Sequence, residues 1–369
     1  MNRFICAAAL WLVIGGGPGI DRARAATTYT AIDLSPSGCV RCFAADLSVS
    51  EQVGDGYYAS YPHALLWYGS AASYVDLQPS GFTTTTARAT FGTQQAGVGS
   101  GPATGNQYHA LLWNSSASNY IDLHPTGFDY TACVGIHGLQ QVGCGYGPAT
   151  GNNSHALLWY GSAANYVDLN PSGFTASYAE ETNGSQQFGY GKGTATGGSY
   201  HALIWNGSSA SYDDLKPSGF QESYIIGVGG SQQVGWGRDT PSGKEPHALL
   251  WNGTAASCID LNPSGFTYSD ADGTNGSQQV GWGHGTATGG NDHSLLWNGT
   301  SNSYVDLHQF LPSGFTASWA SDIDELGNIS GYARDTGGNY HAILWQVPEP
   351  ATLSLLALGG FALLRRRTA

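Results

Sequence analysis

One phrase recurs along this chain at near-constant spacing. His-Ala-Leu-Leu-Trp and its variants stand at 63–67, 109–113, 155–159, 201–205, 247–251, 293–297 and 341–345, and the histidines step by 46 residues five times and then by 48. Asp-Leu pairs beginning at 33, 76, 122, 168, 214, 260 and 306 keep the same beat. So does a middle phrase that runs from Glu-Gln-Val-Gly-Asp-Gly at 51 to Asn-Ile-Ser-Gly-Tyr-Ala at 328. The array is out of phase with itself: it opens on a lone Asp-Leu segment and closes on a lone His-Ala-Ile-Leu-Trp. A period in the forties built from short strand-forming runs specifies repetition of a small β unit.

The fourth copy shows the unit. Strand-like runs at 176–182, 186–191, 201–205 and 212–215 are separated by Asn183-Gly184, a Gly/Thr loop and the turn at 206–211, and a Pro-Ser-Gly-Phe crossing leads onward. Asn-Gly is a hairpin signal, and proline ends a ladder because it has no N–H to give. The 54 glycines, with 21 Tyr and 11 Trp, suit strands and turns better than helices. The expected fold is all-β, a seven-bladed β-propeller with four antiparallel strands per blade. The N-terminal strand at 29–34 pairs with the C-terminal strand at 341–345 and completes the last blade, which hides the edges an open array would expose. An open solenoid calls for atypical capping units, whereas here the two ends complement each other.

Within a copy, His63, Leu65 and Trp67 share one strand face, and Asp76 falls one diagonal from His63 on the neighbouring strand. The predicted role is a structural His–Asp contact. It repeats as His63, Trp67, Asp76; His109, Trp113, Asp122; His155, Trp159, Asp168; His201, Trp205, Asp214; His247, Trp251, Asp260; His293, Trp297, Asp306; and, across the termini, His341, Trp345, Asp33. Ring symmetry spreads these histidines one per blade, so they predict neither a metal cluster nor a cofactor. Asp270, Asp272 and Asn275, and Asp322, Asp324 and Asn328, are spaced loosely like calcium loops, but both sets lack the sixth-position Gly and distant Glu of such loops. Cys39 and Cys42 form a CxxC in a loop, and Cys133 and Cys144 flank a predicted hairpin turn, so both are possible disulfides. Cys258 has no evident partner.

Both termini read as addresses. Arg3, an apolar run from Phe4 to Ile14 and Ala-Arg-Ala at 23–25 form an export signal cut after Ala25 by signal peptidase. At the other end, Pro348-Glu349-Pro350 precedes a 14-residue apolar run at 351–364 and then Arg365, Arg366 and Arg367. A helix of that length is about 21 Å long, short of a bilayer core of about 30 Å. This order of parts resembles the PEP-CTERM sorting tail of Gram-negative bacteria. The resemblance implies recognition by an exosortase, cleavage near the Pro-Glu-Pro, and transfer to the cell surface or an exopolysaccharide matrix, with membrane attachment only through that helix before processing. The domain reading is therefore a signal peptide at 1–25, a propeller at 26–346 and a sorting tail at 347–369.

The repeat itself resembles the HAF-type extracellular repeat, whose motif centres on His-Ala-Phe/Leu-Leu-Trp. That resemblance implies a secreted repeat protein and no particular chemistry. Between Ala26 and Gln346 there are 24 acidic and 7 basic residues, a net −17 that repels nucleic acid and anionic lipid. No G-x-S-x-G, HExxH or Ser/His/Asp pattern stands out. The expected role is a non-catalytic module that binds a polysaccharide or a surface protein. The alternatives are an extracellular glycan lyase or hydrolase working on a propeller face, and a purely structural matrix component. Candidate binding residues lie where the repeat breaks its own pattern. They are Tyr57, Tyr58 and Tyr61, with Tyr108 and Tyr200 as further stacking aromatics; Arg238 and Lys244 in a charged loop; and Phe310 and Leu311 in a lengthened crossing expected to expose them.

Overall fold

A computed structural model describes residues 28–58, 60–238 and 245–348. Ala25, Lys244, Glu349, Pro350, the 351–364 segment and Arg365, Arg366 and Arg367 lie outside the described residues. Among the described residues no helix is long and apolar enough to cross a membrane.

The strands form five four-stranded antiparallel sheets and one of eight. The fourth copy gives Phe174–Thr182, Gln187–Gly193, His201–Ser208 and Ser211–Asp214, so its third strand runs on through the first half of the expected turn. The eight-stranded sheet holds two such units. One is Arg41–Leu47, Gln52–Tyr57, Pro62–Trp67 and Val75–Asp76; the other is Phe315–Ile323, Ile329–Asp335, Tyr340–Gln346 and Thr30–Asp33. A single parallel pair, Arg41 with Tyr340, bridges them. The first strand of each unit packs on the first strand of the next, and Phe315–Ile323 packs back on Arg41–Leu47. The units thus stand around a central channel as the blades of a β-propeller.

The terminal strands meet antiparallel, from Thr30 opposite Gln346 to Asp33 opposite Ile343. Leu34 is fully buried beside them. The two extra residues of the 307–315 crossing serve this seam. Phe310 packs against Tyr29 at 5.6 Å, and Leu311 joins the same cluster, so neither is the exposed contact expected from sequence.

Apolar cores form between blades, where Val53, Ala64, Leu66 and Leu77 of one blade meet Phe82, Ala87, Leu111 and Trp113 of the next. Small residues on one face leave room for the Trp and Leu of the neighbour. All seven motif tryptophans are fully buried, and Trp251 and Trp345 donate Nε1–H to the Leu215 and Leu307 carbonyls of the preceding blade. Every motif histidine has its Nδ1 2.7–2.8 Å from the Oδ2 of its partner aspartate, including His341 with Asp33 across the seam. The other carboxylate oxygen accepts the backbone N–H two residues on, as at Gln78 and His124, which fixes the turn into the crossing.

A further link was not read from sequence. A Ser or Thr on each next inner strand accepts the backbone N–H that follows the motif histidine: Ala64 to Thr85, Ala110 to Thr131, Ala156 to Ser177, Ala202 to Ser223, Ala248 to Ser269 and Ser294 to Ser318. At the seam Ser35 takes that role for Ala342. Cys42 occupies the inner-strand position that the hydroxyl residue holds elsewhere, facing Gly56 as Thr85 faces Gly99, and it is disulfide-bonded to Cys39. Thr131→Val keeps shape but strands the buried Ala110 N–H, so urea unfolding should show a loss of about 1–3 kcal/mol. The exposed Thr83→Val should change stability by under about 0.5 kcal/mol; equal effects would show that the inter-blade bond contributes nothing.

Every inner strand carries a bulge in its second half, at 44–46, 87–89, 133–135, 179–181, 225–227, 271–273 and 320–322, and three of them carry a second one at their start, at 174–176, 266–268 and 315–317. The bulge presses the inner strand onto its neighbour. A Cβ at the first glycine of the Gln-Val-Gly-x-Gly phrase, such as Gly54, Gly143 or Gly281, would collide with a facing carbonyl oxygen. The bulge also overturns the expected Cys133–Cys144 disulfide, since both cysteines are free. Continuing the His137–Gln140 register without a bulge would set Cys133 against Cys144. The extra residue sets Cys133 against Gly143 and Ala132 against Cys144, so the two thiols lie on opposite faces.

Candidate functional site

The residues skipped by the bulge that all seven inner strands share are Ala45, Arg88, Val134, Glu180, Ile226, Asp272 and Ser321, and all of them line one cavity of about 1140 Å³ in the channel. A bulge re-aims a side chain that regular alternation would bury between sheets. Each blade therefore adds one re-aimed residue to the inner wall, and at that position the repeat abandons its uniformity.

Toward the loops between second and third strands, the channel wears an aromatic collar. Phe43 meets Tyr57, Tyr332 and Tyr340 at ring separations of 6.4, 5.0 and 5.3 Å, and Trp319 stacks on Tyr332 at 5.0 Å. Tyr178, Tyr190, Tyr200, Tyr224 and Trp236 form a second group, with Tyr190–Tyr224 at 4.8 Å and Tyr224–Trp236 stacked at 3.9 Å. Tyr268, Trp282 and His284 make a third, and Tyr108 with Tyr130 a fourth. Tyr108 is 46 % exposed, and Lys192 sits 4.5 Å over the Tyr200 ring. The Gly/Thr loops and the Pro-Ser-Gly-Phe crossings share this face, as the Ala103 N–H bonded to the Gly81 carbonyl illustrates.

Toward the hairpin turns between first and second strands, the wall is acidic. The Asp46 and Asp322 carboxyls hydrogen-bond to each other, and the Thr90 N–H also donates to Asp46. Burial drives the carboxyls of Asp46, Glu180, Glu181, Asp272 and Asp322 above the ordinary range; Glu181 and Asp322 are raised further by Asp46, and Asp272 by Asp270. Burial also lifts Asp270 to about 7. It lifts Asp55 to about 6 against the pull of Arg88, whose guanidinium is 3.9 Å away. Enclosed carboxyls near neutrality can hold or release a proton at working pH.

The sequence-derived candidates fare unevenly. Tyr57 lines the channel, but Tyr58 is packed edge-on to His63 beneath the first blade, and Tyr61 stands apart at 58 % exposure. The three tyrosines therefore form no common platform. Arg238 is taken up by Glu222 at 2.7 Å. The calcium-like spacings do not make loops. Asp270, Asp272 and Asp322 sit on inner strands, whereas Asn275 caps the turn to Ser277 and Gln278, and Asp324 caps the turn to Leu326 and Asn328. Arg88, Asp55, Glu180, Glu181, Trp282, Trp319 and Tyr332 were not singled out from sequence. The signal for several of them is the x of Gln-Val-Gly-x-Gly, which reads Asp, Val, Cys, Tyr, Trp, Trp, Tyr around the ring while its neighbours barely change.

Residues 346–367 match the PEP-CTERM protein-sorting motif. That motif implies export, processing by exosortase, and a surface or extracellular location. No curated protein matches the chain. Among solved structures, an oligogalacturonate lyase from Vibrio parahaemolyticus is similar at 9 % identity and a TM-score of 0.54, over 87 % of this chain and 98 % of that one. A puromycin hydrolase is similar at 11 % identity and a TM-score of 0.52, over 84 % of this chain and 52 % of the hydrolase. The β-propeller domain of the trilobed protease from Pyrococcus furiosus matches at 10 % identity and a TM-score of 0.48, over 73 % and 82 %. At these identities the lyase and the hydrolase inform the fold and nothing about activity.

Proposed function

We propose that this protein is a seven-bladed propeller of the HAF-type extracellular repeat kind, spanning 26–346 between a signal peptide and a sorting tail. It is carried to the cell surface or the exopolysaccharide matrix and acts there as a non-catalytic binding module for polysaccharide. The observation that supports this reading is the aromatic collar. Rings are gathered around one mouth at positions where other blades carry Thr, Val, Ala or Cys, and flat aromatic faces stack on sugar rings. Affinity electrophoresis through the producing cell's own exopolysaccharide tests it. Tyr108→Ala/Tyr200→Ala should bind about tenfold more weakly while still melting cooperatively within about 5 °C of wild type, two aromatic contacts being worth about 0.5–1.5 kcal/mol each. Equal retardation of wild type and variant defeats the collar, and no retardation of either favours a purely structural matrix role.

A second reading, an extracellular glycan lyase or hydrolase, is favoured by one observation. Asp55 and Asp270 are carboxyls whose protons leave near pH 6 and 7, a range suited to general acid and base work. A reducing-end and unsaturated-product assay on the same polysaccharide is expected to show no turnover.

A further inference from the structure

We propose that one arc of the hairpin-turn face is a docking surface for the bilayer that receives the C-terminal segment before processing. The inference stands apart from the collar, which lies at the other mouth of the channel, and from what the collar binds.

The arc is marked by apolar side chains left in water. Leu139 and Leu326, at 83 % and 64 % exposure, are the two most exposed large apolar residues of the described chain. Both sit at turns between a first and a second strand, and so do the exposed Val49 and Phe91. These four residues belong to the last blade and the first three, whose first strands pack on one another in sequence around the ring. The other three blades carry Asn183-Gly184-Ser185, Gly229-Gly230-Ser231 and Asn275-Gly276-Ser277 at the same place.

The turns between third and fourth strands, at the same end, divide in nearly the same way. The exposed Tyr68 and Tyr160 precede Gly69 and Gly161, whose N–H groups donate to Gln52 and Gln141 of the second strands. The three polar blades have Asn206, Asn252 and Asn298 before the equivalent glycine, and the second blade has Asn114. Exposed apolar tips that run together over neighbouring blades mark an interaction surface, and aliphatic residues with tyrosine are the composition of a membrane–water boundary.

The path of the chain names the occupant. The Val347 N–H donates to Asn328 Oδ1, and its side chain lies over Gly327 in the turn that carries Leu326. From Pro348 to the start of the apolar run at 351 is three residue steps, at most about 11 Å. Once that run enters a bilayer, the Leu326 turn is held at headgroup depth. Even as a helix the run is about 21 Å long against a core of about 30 Å, so its insertion draws the folded body against the surface. Glu325 is the only exposed acid in the four apolar turns, while Asp46, Asp272 and Asp322 open into the channel inside them. A neutral arc on an acidic protein suits zwitterionic lipid.

Quenching of tryptophan by brominated lipid tests the contact. The exported chain, residues 26–369, is reconstituted in dibromostearoyl phosphatidylcholine vesicles and in unbrominated ones as wild type, Leu139→Trp and Ser231→Trp. The two sites are matching two-residue turns, His137 facing Gln140 and Gly229 facing Gln232, on different sides of the ring. The emission added by Leu139→Trp should be at least twofold weaker in brominated vesicles, and that added by Ser231→Trp should be unchanged. Adding Val49→Ser and Leu326→Ser to Leu139→Trp should remove most of the quenching. All the substituted side chains are exposed, so each variant should melt cooperatively within about 5 °C of wild type. Equal quenching at both positions, or quenching that survives Val49→Ser/Leu326→Ser, would overturn the arc. Quenching at neither position would also overturn it, and is the result expected if a second copy of the chain covers these turns. None of these outcomes bears on retardation by polysaccharide, so the two readings fail separately.

Discussion

A chain that begins after Ser35 should lose at least about 5 kcal/mol of stability and expose an edge that aggregates. The segment removed carries four strand pairs to 343–346, the fully buried Leu34, the Leu34 N–H bond to the Ala342 carbonyl, and the contacts of Asp33 with His341 and Ser35 with Ala342. Burying the leucine is worth about 2 kcal/mol and each hydrogen bond about 1 kcal/mol. At roughly 2 cal/mol/K of unfolding entropy per residue, the melting temperature of such a ring falls by about 8 °C or more. The strand Tyr340–Gln346 is left as an unprotected template for another chain. Scanning calorimetry and light scattering measure both effects, and adding back a synthetic peptide of residues 28–38 should reverse them. A deletion that melts like wild type would mean that the ring does not depend on its seam.

Stability should fall as pH rises from about 5 to 7, the reverse of ordinary acid denaturation. A carboxyl whose folded pKa is raised binds its proton more tightly in the folded chain than in the unfolded one. Its contribution is complete below the ordinary carboxylate range and is lost as pH climbs through the folded value. Asp55 at about 6 and Asp270 at about 7 place that loss between about pH 4 and 7, and Asp46, Glu180, Glu181, Asp272 and Asp322 move the same way. At about 1.4 kcal/mol per pH unit, Asp55 and Asp270 each account for on the order of 3 kcal/mol. His124, His137 and His308 oppose this at the acid end. Burial lowers all three, so the unfolded chain gains protons there first, which makes the slope shallower below about pH 6.5. Melting curves should drop by about 5 °C between pH 5 and 7, and Asp272→Asn should flatten the slope. A melting temperature that rises through the range would contradict the buried-carboxyl account.

Much of the scaffold was legible because two periodicities were. Alternation by two set the faces of His63, Leu65 and Trp67, and the 46-residue step set which Asp met which His, even across the seam between Asp33 and His341. What escaped notice was the bulge. One extra residue at the same place in every inner strand leaves composition and period untouched but reverses side-chain faces beyond it. It moved Cys133 off Cys144 and directed Asp272 and Glu180 into the channel rather than between sheets. Phe310 was misread for a different reason. An insertion looks exposed when judged against the repeat, but at this crossing it has an irregular neighbour, Tyr29, to cover.

The seam also gives the molecule a base and a crown. Thr30 pairs with Gln346, and the Val347 N–H donates to Asn328 Oδ1 beside the hairpin turn that holds Asp324 and Glu325 at the channel mouth. Both ends of the described chain therefore issue from the acidic side. Anything joined beyond Pro348 therefore leaves from the acidic side, and the collar lies at the opposite mouth, facing away from the point of attachment.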